Sequence, residues 1–204
     1  MTHSTYSCDY WYYEKAFNDE QCEKLLNLKK QYQLETATID QGNIDDNIRK
    51  NEIFFTSEEW VYEMIRPYLA DANIDANWNF DIDWCEPAQF TEYKNGGHYT
   101  WHMDTMPIDR QEKLSKSYKG KIRKISTTVL LSDGDDYEGA DFELVNTSSL
   151  TPNSKDKIEI LKEPAFRKKG TIIFFPSHVF HRVTPITSGV RNSLVFWWLG
   201  PPFK

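Results

Sequence analysis

Two kinds of hydrophobic pattern divide the chain into an amino-terminal third and a longer remainder. In the stretch 17 to 32, FNDEQCEKLLNLKKQY, apolar residues recur at helical spacing, acidic residues follow Asn18 and lysines lie near the end. This order is typical of an amphipathic helix with its N-cap at Asn18, and it predicts a helix over 19 to 32. A second helix is predicted over 57 to 70, with Pro67 ending or kinking it.

From about residue 80 the pattern changes to alternation with a period of two, which is typical of half-buried strands. Phe80, Ile82 and Trp84 begin this alternation. Further strands are predicted over residues 89 to 93, 99 to 103, 125 to 131, 140 to 145, 158 to 161, 171 to 176, 179 to 184 and 193 to 199. Many short strands separated by Gly, Pro, Asn and Asp favour a β-sandwich or barrel over a fold of alternating strands and helices.

Composition narrows the class of protein. A chain of 204 residues is long enough for one domain with its own core, and its net charge of -7 disfavours nucleic acid as a partner. The three cysteines form no C-x-x-C pair, the first residues lack an apolar signal segment, and no apolar run approaches about 18 residues. We therefore expect a soluble, cytoplasmic protein that does not associate with membranes. The sequence leaves the oligomeric state open.

The strand pattern lapses between residues 105 and 124, where seven basic residues accompany two acidic ones. Two interpretations stay open for this segment. It is either a solvated loop or a mobile lid beside a functional site, since long loops often carry function.

The segment WHMDT, residues 101 to 105, places His102 and Asp104 two positions apart. In a strand, both side chains would project from one face while Trp101 and Met103 pack on the other. An H-x-D triplet occurs often by chance. Alone, it predicts no more than a hydrogen-bonded pair.

The segment 174 to 198 supplies further candidates, because it contains His178, His181 and, ten residues after His181, Arg191. Two histidines and one carboxylate with open coordination positions form the facial triad of non-haem Fe(II) oxygenases. Arginine is suited to a bidentate pair with a buried carboxylate. If Arg191 lies on the next antiparallel strand, after a turn at 185 to 189, it would point into the same cavity as His181 and bind an organic acid.

Taken together, these segments resemble the Fe(II)- and 2-oxoglutarate-dependent oxygenases of the prolyl 4-hydroxylase-like branch, in particular its bacterial and phage-type members. The resemblance covers about residues 80 to 200. It rests on YKNGGHYTWHMD (93 to 104), LSDGDDYEGADFEL (131 to 144) and FPSHVFHRVTPITSGVR (175 to 191).

The fold implied by this resemblance is a double-stranded β-helix, that is, a cupin-like jelly roll. The chain would then be mainly β with amino-terminal helices, an α+β protein. We expect one domain over residues 1 to 204, in which 1 to 79 form a helical support and 80 to 200 form the jelly-roll core.

The resemblance also implies roles for individual residues. The metal ligands, which are also the catalytic residues, would be His102, Asp104 and His181. The contacts to 2-oxoglutarate would come from Arg191 at its distal carboxylate, from Tyr93 as a hydrogen-bonding partner, from Trp197 as a cavity wall and from Thr128, the preferred hydroxyl on a strand face shared with Ser126 and Leu130.

Three positions depart from the pattern of the family. Many prolyl hydroxylases carry lysine where Arg191 stands, which weakens any inference of a collagen-type substrate. Tyrosine is common where Leu130 stands, and Ala140 replaces the second glycine of the usual Gly-Gly pair.

The implied activity is hydroxylation with Fe(II), 2-oxoglutarate and O2, with ascorbate as reductant. A prolyl residue of a peptide or protein is the leading expectation for the substrate, and a free amino acid or another small metabolite is the alternative. From a different class, a jelly-roll module that binds metal without oxidation also fits the ligands. A zinc hydrolase ranks last, because its chemistry needs neither Arg191 nor Tyr93.

Overall fold

The computed structural model describes residues 8–39, 43–105, 116–150 and 158–203. It contains two α-helices, α1 (Asp19–Leu26) and α2 (Glu59–Asp75), among these residues. The strands are β1 (Trp11–Tyr13), β2 (Glu35–Thr36), β3 (Arg49–Lys50), β4 (Glu52–Thr56), β5 (Trp84–Cys85), β6 (Ala88–Tyr93), β7 (His98–His102), β8 (Ile122–Leu130), β9 (Tyr137–Gly139), β10 (Phe142–Val145), β11 (Ile160–Leu161), β12 (Ile172–Pro176), β13 (His181–Val183), β14 (Ile186–Gly189) and β15 (Arg191–Gly200).

Two antiparallel sheets organise these strands. The larger sheet has eight strands in the order β1-β12-β8-β15-β6-β4-β2, with β5 also pairing with β15. The smaller sheet has the order β11-β10-β13-β7-β3, and β9 and β14 form a two-stranded ribbon. This is the architecture of a jelly roll, and it confirms the predicted fold class.

Helix α1 begins at the predicted N-cap. The Asn18 side chain accepts a hydrogen bond from the Gln21 amide at 2.9 Å, and the Gln21 side chain accepts one from the Asn18 amide at 3.0 Å. This capping box satisfies two amides of the first turn. The helix ends earlier than predicted, at Leu26, and continues as the 3-10 turn Asn27–Lys30.

Helix α2 continues through Pro67 to Asp75, so the predicted end near residue 70 is wrong. Proline removes one amide and leaves the carbonyl of Glu63 without its helical partner. Both residues lie on the exposed side of the helix, where water can solvate that carbonyl. The buried side continues to Leu69 and Ala72, and packing of these residues stabilises the last turns.

No helix among the described residues is long and apolar enough to span a membrane.

The amino-terminal third also supplies four strands that the periodicity did not predict, which corrects the expectation of a purely helical support. Strand β1 pairs with β12, β4 pairs with β6, and β3 pairs with β7. Strands of two to five residues are too short for a period of two to stand out. That residues 1 to 204 form one domain stays a prediction.

All eight strands predicted after residue 85 are present, with shifted ends. The predicted strand starting at Phe80 is reduced to Trp84–Cys85. Phe80 and Ile82 instead pack against the core beneath the helices, so their alternation reflects burial and not strand pairing. Residues 122 to 124, assigned to a loop by the sequence pattern, begin β8.

Strand β15 separates two hydrophobic cores. Its residues Leu194, Phe196 and Trp198 belong to the core between the larger sheet and the helices. Because successive strand residues point to opposite faces, Arg191 and Trp197 project from the other face, toward the smaller sheet. The side of the larger sheet that faces away from the helices therefore carries the predicted functional residues.

Truncating Phe196 to alanine is expected to lower the free energy of unfolding by about 3 to 5 kcal/mol, since it opens a cavity in the core against the helices. Phe196 is 0% exposed, whereas Phe55, the matched control, is 51% exposed. Urea unfolding of Phe196→Ala and Phe55→Ala measures both effects. Equal losses in the two variants would contradict this description of the core.

Candidate active site

Three ligand groups come together where β7 and β13 pair. His102 lies directly opposite His181 in the antiparallel register, and Asp104 follows two residues after His102. The distance from His102 Nε2 to Asp104 Oδ1 is 3.8 Å, and that from His181 Nε2 to Asp104 Oδ2 is 3.5 Å. One ligand atom from each of the three residues lies within 4.8 Å of the others, so the group could hold a metal ion. His178, the other candidate, is exposed on the turn before β13.

Backbone carbonyls fix the orientation of both imidazole rings. His102 Nδ1 lies 2.7 Å from the Thr100 carbonyl oxygen, and His181 Nδ1 lies 3.0 Å from the Val179 carbonyl oxygen. A carbonyl oxygen can only accept, so each Nδ1 carries the proton and each Nε2 presents its lone pair. Both Nε2 atoms are therefore prepared to bind a metal.

Asp104 is only 9% exposed and is held at its side chain and its backbone. The Ser126 hydroxyl donates to Asp104 Oδ2 at 2.7 Å, and the Asp104 amide donates to the Ser177 carbonyl at 2.9 Å. Burial alone would raise the pKa of this carboxyl, but attraction to His181 and His102 outweighs burial and lowers the pKa. The carboxylate is thus ionised, as a metal ligand must be.

Aromatic rings enclose the two histidines. The Tyr99 ring stacks on His102 with 3.5 Å between ring centroids, while Phe175 and Phe142 lie 4.6 and 5.9 Å from the His181 ring. Burial lowers the pKa of His102, and the neighbouring His181 lowers it further, against the opposite effect of Asp104. His102 is therefore neutral near pH 7, the form in which imidazole binds a metal.

The opposite face of the WHMDT segment is only partly packed. The Trp101 ring lies 4.6 Å from the Arg182 guanidinium, whereas Met103 is 42% exposed and not packed as expected.

Arg191 lies in the other sheet from His181, so the expectation that the two occupy neighbouring strands is wrong. The segment Ile186–Gly189 forms β14 and pairs with β9, after which the chain enters β15 of the larger sheet. There Arg191 pairs in register with Tyr93, and its guanidinium lies 5.5 Å from the Tyr93 ring. Tyr93 packs in the same core cluster as Phe142 and Phe175, which contact His181. The two sheets thus bring Arg191 and the ligand group to one interior.

The Arg191 side chain is buried without a carboxylate partner among the described residues. It is 1% exposed, and Nη1 donates to the Ser193 hydroxyl at 3.2 Å. Nε and Nη2 are buried and have no hydrogen-bond partner in the described part of the chain. Burying an unpaired charge is costly, and Nε with Nη2 forms one edge of the guanidinium that matches the two oxygens of a carboxylate.

The remaining predicted residues surround the same interior. Tyr93 is buried, and burial raises the pKa of its hydroxyl. Thr128 is buried on β8, on the strand face that also carries Ser126 and Leu130. Trp197 lies opposite Ser126 in the pairing of β15 with β8, and its buried Nε1 has no partner among the described residues.

Sequence reasoning missed Arg123, which it placed in the basic loop. Its Nε and Nη2 donate to the two Glu86 carboxylate oxygens at 2.5 and 2.6 Å, and Nη1 donates to the Asp104 carbonyl at 3.2 Å. The guanidinium also lies 4.2 Å from the Trp197 ring. No local signal could have revealed a pair whose members lie 37 residues apart.

Arg49 was missed as well, because it lies in the amino-terminal third. Its guanidinium lies 4.8 Å from the ring of Tyr99, which stacks on His102. Nε donates to the Asn51 side chain at 3.0 Å and Nη2 to the Gln89 side chain at 3.3 Å. Through Arg49, strand β3 therefore contributes to the wall of the site next to Tyr99.

The lid hypothesis for residues 105 to 124 stays a prediction, since residues 106 to 115 lie outside the described residues. The described part of the segment contains a 3-10 turn, Lys116–Tyr118, and the start of β8. The Tyr118 ring lies 4.9 Å from Trp84.

Comparison with known proteins identifies a family whose matched region contains these residues. The sequence profile of the 2OG-Fe(II) oxygenase superfamily matches residues 88–199, which include the ligand group and Arg191. The chain belongs to this superfamily. A PKHD-type hydroxylase from Teredinibacter turnerae is 32% identical over 111 residues, which are 54% of this chain and 42% of that protein. The chain therefore matches less than half the length of this relative.

Solved structures show the oxygenase fold at lower sequence identity. A Pseudomonas putida prolyl-4-hydroxylase superposes with a TM-score of 0.64 at 15% identity, covering 93% of this chain and 92% of that one. A viral collagen prolyl hydroxylase from Paramecium bursaria Chlorella virus-1 superposes with a TM-score of 0.60 at 20% identity, covering 94% of this chain and 96% of that one. The likeness to both extends into the amino-terminal third of this chain.

The lowered pKa of His102 predicts how the free energy of unfolding of the metal-free protein depends on pH. Below its ordinary value of 6.5 the unfolded chain binds a proton at His102 that the folded chain does not, so stability falls as pH falls. The free energy of unfolding should therefore decrease between pH 7.5 and pH 5. Replacing His102 by glutamine is expected to make this decrease smaller by roughly 1 to 2 kcal/mol.

Urea unfolding with a chelator present measures this pH dependence. The half-buried His98, whose ring contacts the Gly96 carbonyl at 3.1 Å, provides the control His98→Gln, which removes an imidazole outside the ligand group. A wild-type slope in His102→Gln would show that His102 is not held neutral by its surroundings.

Proposed function

We propose that this chain is a 2-oxoglutarate-dependent dioxygenase that hydroxylates its substrate at an iron bound by His102, Asp104 and His181. One observation carries the proposal: the free Nε and Nη2 edge of the buried Arg191 shares an interior with that ligand group. A metal site alone would not require a buried, unpaired arginine. A cosubstrate with a carboxylate remote from the metal accounts for both features.

The residues fit both the metal and the cosubstrate. Two imidazoles and one carboxylate suit Fe(II), and three protein ligands leave positions for other molecules. Arg191 suits the distal carboxylate of 2-oxoglutarate. When bound together, Fe(II), 2-oxoglutarate and O2 supply the oxidising chemistry. The role of ascorbate as reductant stays a prediction.

The protein residues in this proposal bind, orient and exclude water. Arg191 fixes the orientation of 2-oxoglutarate, and Tyr93 and Thr128 offer it hydroxyl groups. Trp197 forms a wall beside Ser126. The rings of Tyr99 and Phe175 next to the histidines keep water from the metal side of the cavity.

The substrate we propose is a prolyl residue of a peptide or protein. The name of the bacterial relative, PKHD-type hydroxylase, and those of the two prolyl hydroxylases with the same fold support this class. A free amino acid is the alternative that the test must separate. The expected cytoplasmic location stays a prediction, in keeping with the three free cysteines.

Succinate formation tests the proposal. Purified protein with Fe(II), ascorbate and 2-oxoglutarate should form succinate, and proline-containing peptides should increase the rate more than free amino acids do. His181→Ala should abolish turnover. Arg191→Leu should raise the KM for 2-oxoglutarate at least about 30-fold, because truncating a buried charged partner costs 2 to 5 kcal/mol or more.

Arg66→Leu is the matched control, since this exposed arginine pairs with Glu59 on α2, away from the site. It should leave the KM unchanged. Stimulation by free amino acids alone would replace the peptide substrate with a small one. Metal binding without succinate under any condition would instead favour a non-catalytic metal-binding module.

A further inference from the structure

Two buried serines connect Asp104 to the turn between β12 and β13. Ser126 lies on β8 and Ser177 follows β12, and both side chains are fully buried. The Ser126 hydroxyl donates to Asp104 Oδ2 at 2.7 Å, and the two serine hydroxyls lie 3.0 Å apart. The family resemblance implies no role for Ser177, and it includes Ser126 only as a residue on the same strand face as Thr128.

The chemistry of these groups fixes the direction of both hydrogen bonds. A carboxylate only accepts, so the single hydroxyl proton of Ser126 goes to Asp104. Ser126 can then only accept from Ser177, which must donate. The order is Ser177 to Ser126 to Asp104. Such a chain polarises each member and strengthens the bond to the carboxylate.

Ser177 also holds the backbone of Asp104. Its carbonyl accepts the Asp104 amide at 2.9 Å, and its own amide donates to the Lys124 carbonyl at 3.0 Å on β8. Two residues later, the Val179 carbonyl holds His181 Nδ1. The turn between β12 and β13 therefore contacts His181, Asp104 and strand β8.

We infer that Ser126 and Ser177 are positioning residues, which fix the rotation of the Asp104 carboxylate by occupying one of its oxygens and so direct the other toward the metal. The inference rests on the proposed function, since it assigns Asp104 to the metal. It also leaves Thr128 as the hydroxyl of this strand face that remains for 2-oxoglutarate. Groups that orient a ligand in this way typically contribute 10- to 100-fold to metal affinity.

Titration of the metal-free protein with Mn²⁺ in a calorimeter tests the inference without turnover. Ser126→Ala and Ser177→Ala should each weaken Mn²⁺ binding about 10-fold or more. The double variant should bind no more weakly than Ser126→Ala, because both substitutions interrupt one chain of hydrogen bonds. The visible absorption of bound Co²⁺, which reports coordination geometry, should shift in both single variants.

Ser132→Ala is the matched control, because this buried serine lies beyond the other end of β8, where its hydroxyl accepts from the Asn192 amide at 2.9 Å. It should bind Mn²⁺ like wild type. Urea unfolding of each variant identifies any loss that comes from folding, and Ser177→Ala carries the test if Ser126→Ala does not fold.

The outcomes separate the inference from the proposed function. Wild-type Mn²⁺ affinity and Co²⁺ spectra in folded Ser126→Ala and Ser177→Ala would overturn the positioning role while leaving the metal site in place. If the binding free energies lost in the two single variants add up in the double variant, the two serines do not act through one chain of hydrogen bonds. A wild-type protein that binds no Mn²⁺ would overturn both the inference and the metal site on which it rests.

Discussion

The register of β15 with β6 and β8 is the constraint on which the rest of the structure depends. It sets Arg191 opposite Tyr93 on β6 and Trp197 opposite Ser126 on β8. It also directs Phe196 into the core beneath the helices. A slip by one residue would exchange the two faces, burying Arg191 among apolar side chains and moving Phe196 into the site. The hydrophobic core and the candidate active site are therefore fixed by the same hydrogen-bond ladder.

The two sheets have different tasks in the site. The smaller sheet presents the imidazoles, because β7 and β13 pair with His102 opposite His181. The larger sheet supplies Arg191 and the hydroxyl of Ser126 that holds Asp104. The face of the larger sheet that points away from the site packs against α1 and α2, and this packing holds the sheet in place. A rigid support of this kind keeps ligand groups in place before a metal binds.

The sequence predicted those parts of the molecule that depend on local pattern. The H-x-D triplet, His181 and Arg191 were assigned their roles through the family resemblance, and strands such as β8 and β15 stand out by their runs of apolar and β-branched residues. Strands β2 and β3, with two residues each, carry no such signal. Pro67 was misinterpreted because its effect depends on whether the freed carbonyl meets water, which the fold decides.

The contacts that hold the ligands could not be predicted in this way. Arg123 with Glu86 and Ser126 with Ser177 are pairs from distant segments that only the packed sheets bring together. The predicted position of Arg191 on the strand next to His181 was also wrong. The segment after β13 contains β14 and then leads into the larger sheet. The information missing from the sequence was the register between strands that lie far apart along the chain.

The most direct test of the account is a crystal structure of the protein with Mn²⁺ in place of Fe(II) and with 2-oxoglutarate, prepared without O2. We expect Mn²⁺ bound by His102, Asp104 and His181, and the distal carboxylate of 2-oxoglutarate on Nε and Nη2 of Arg191. Mn²⁺ bound at other residues, or 2-oxoglutarate bound away from Arg191, would contradict the proposed site.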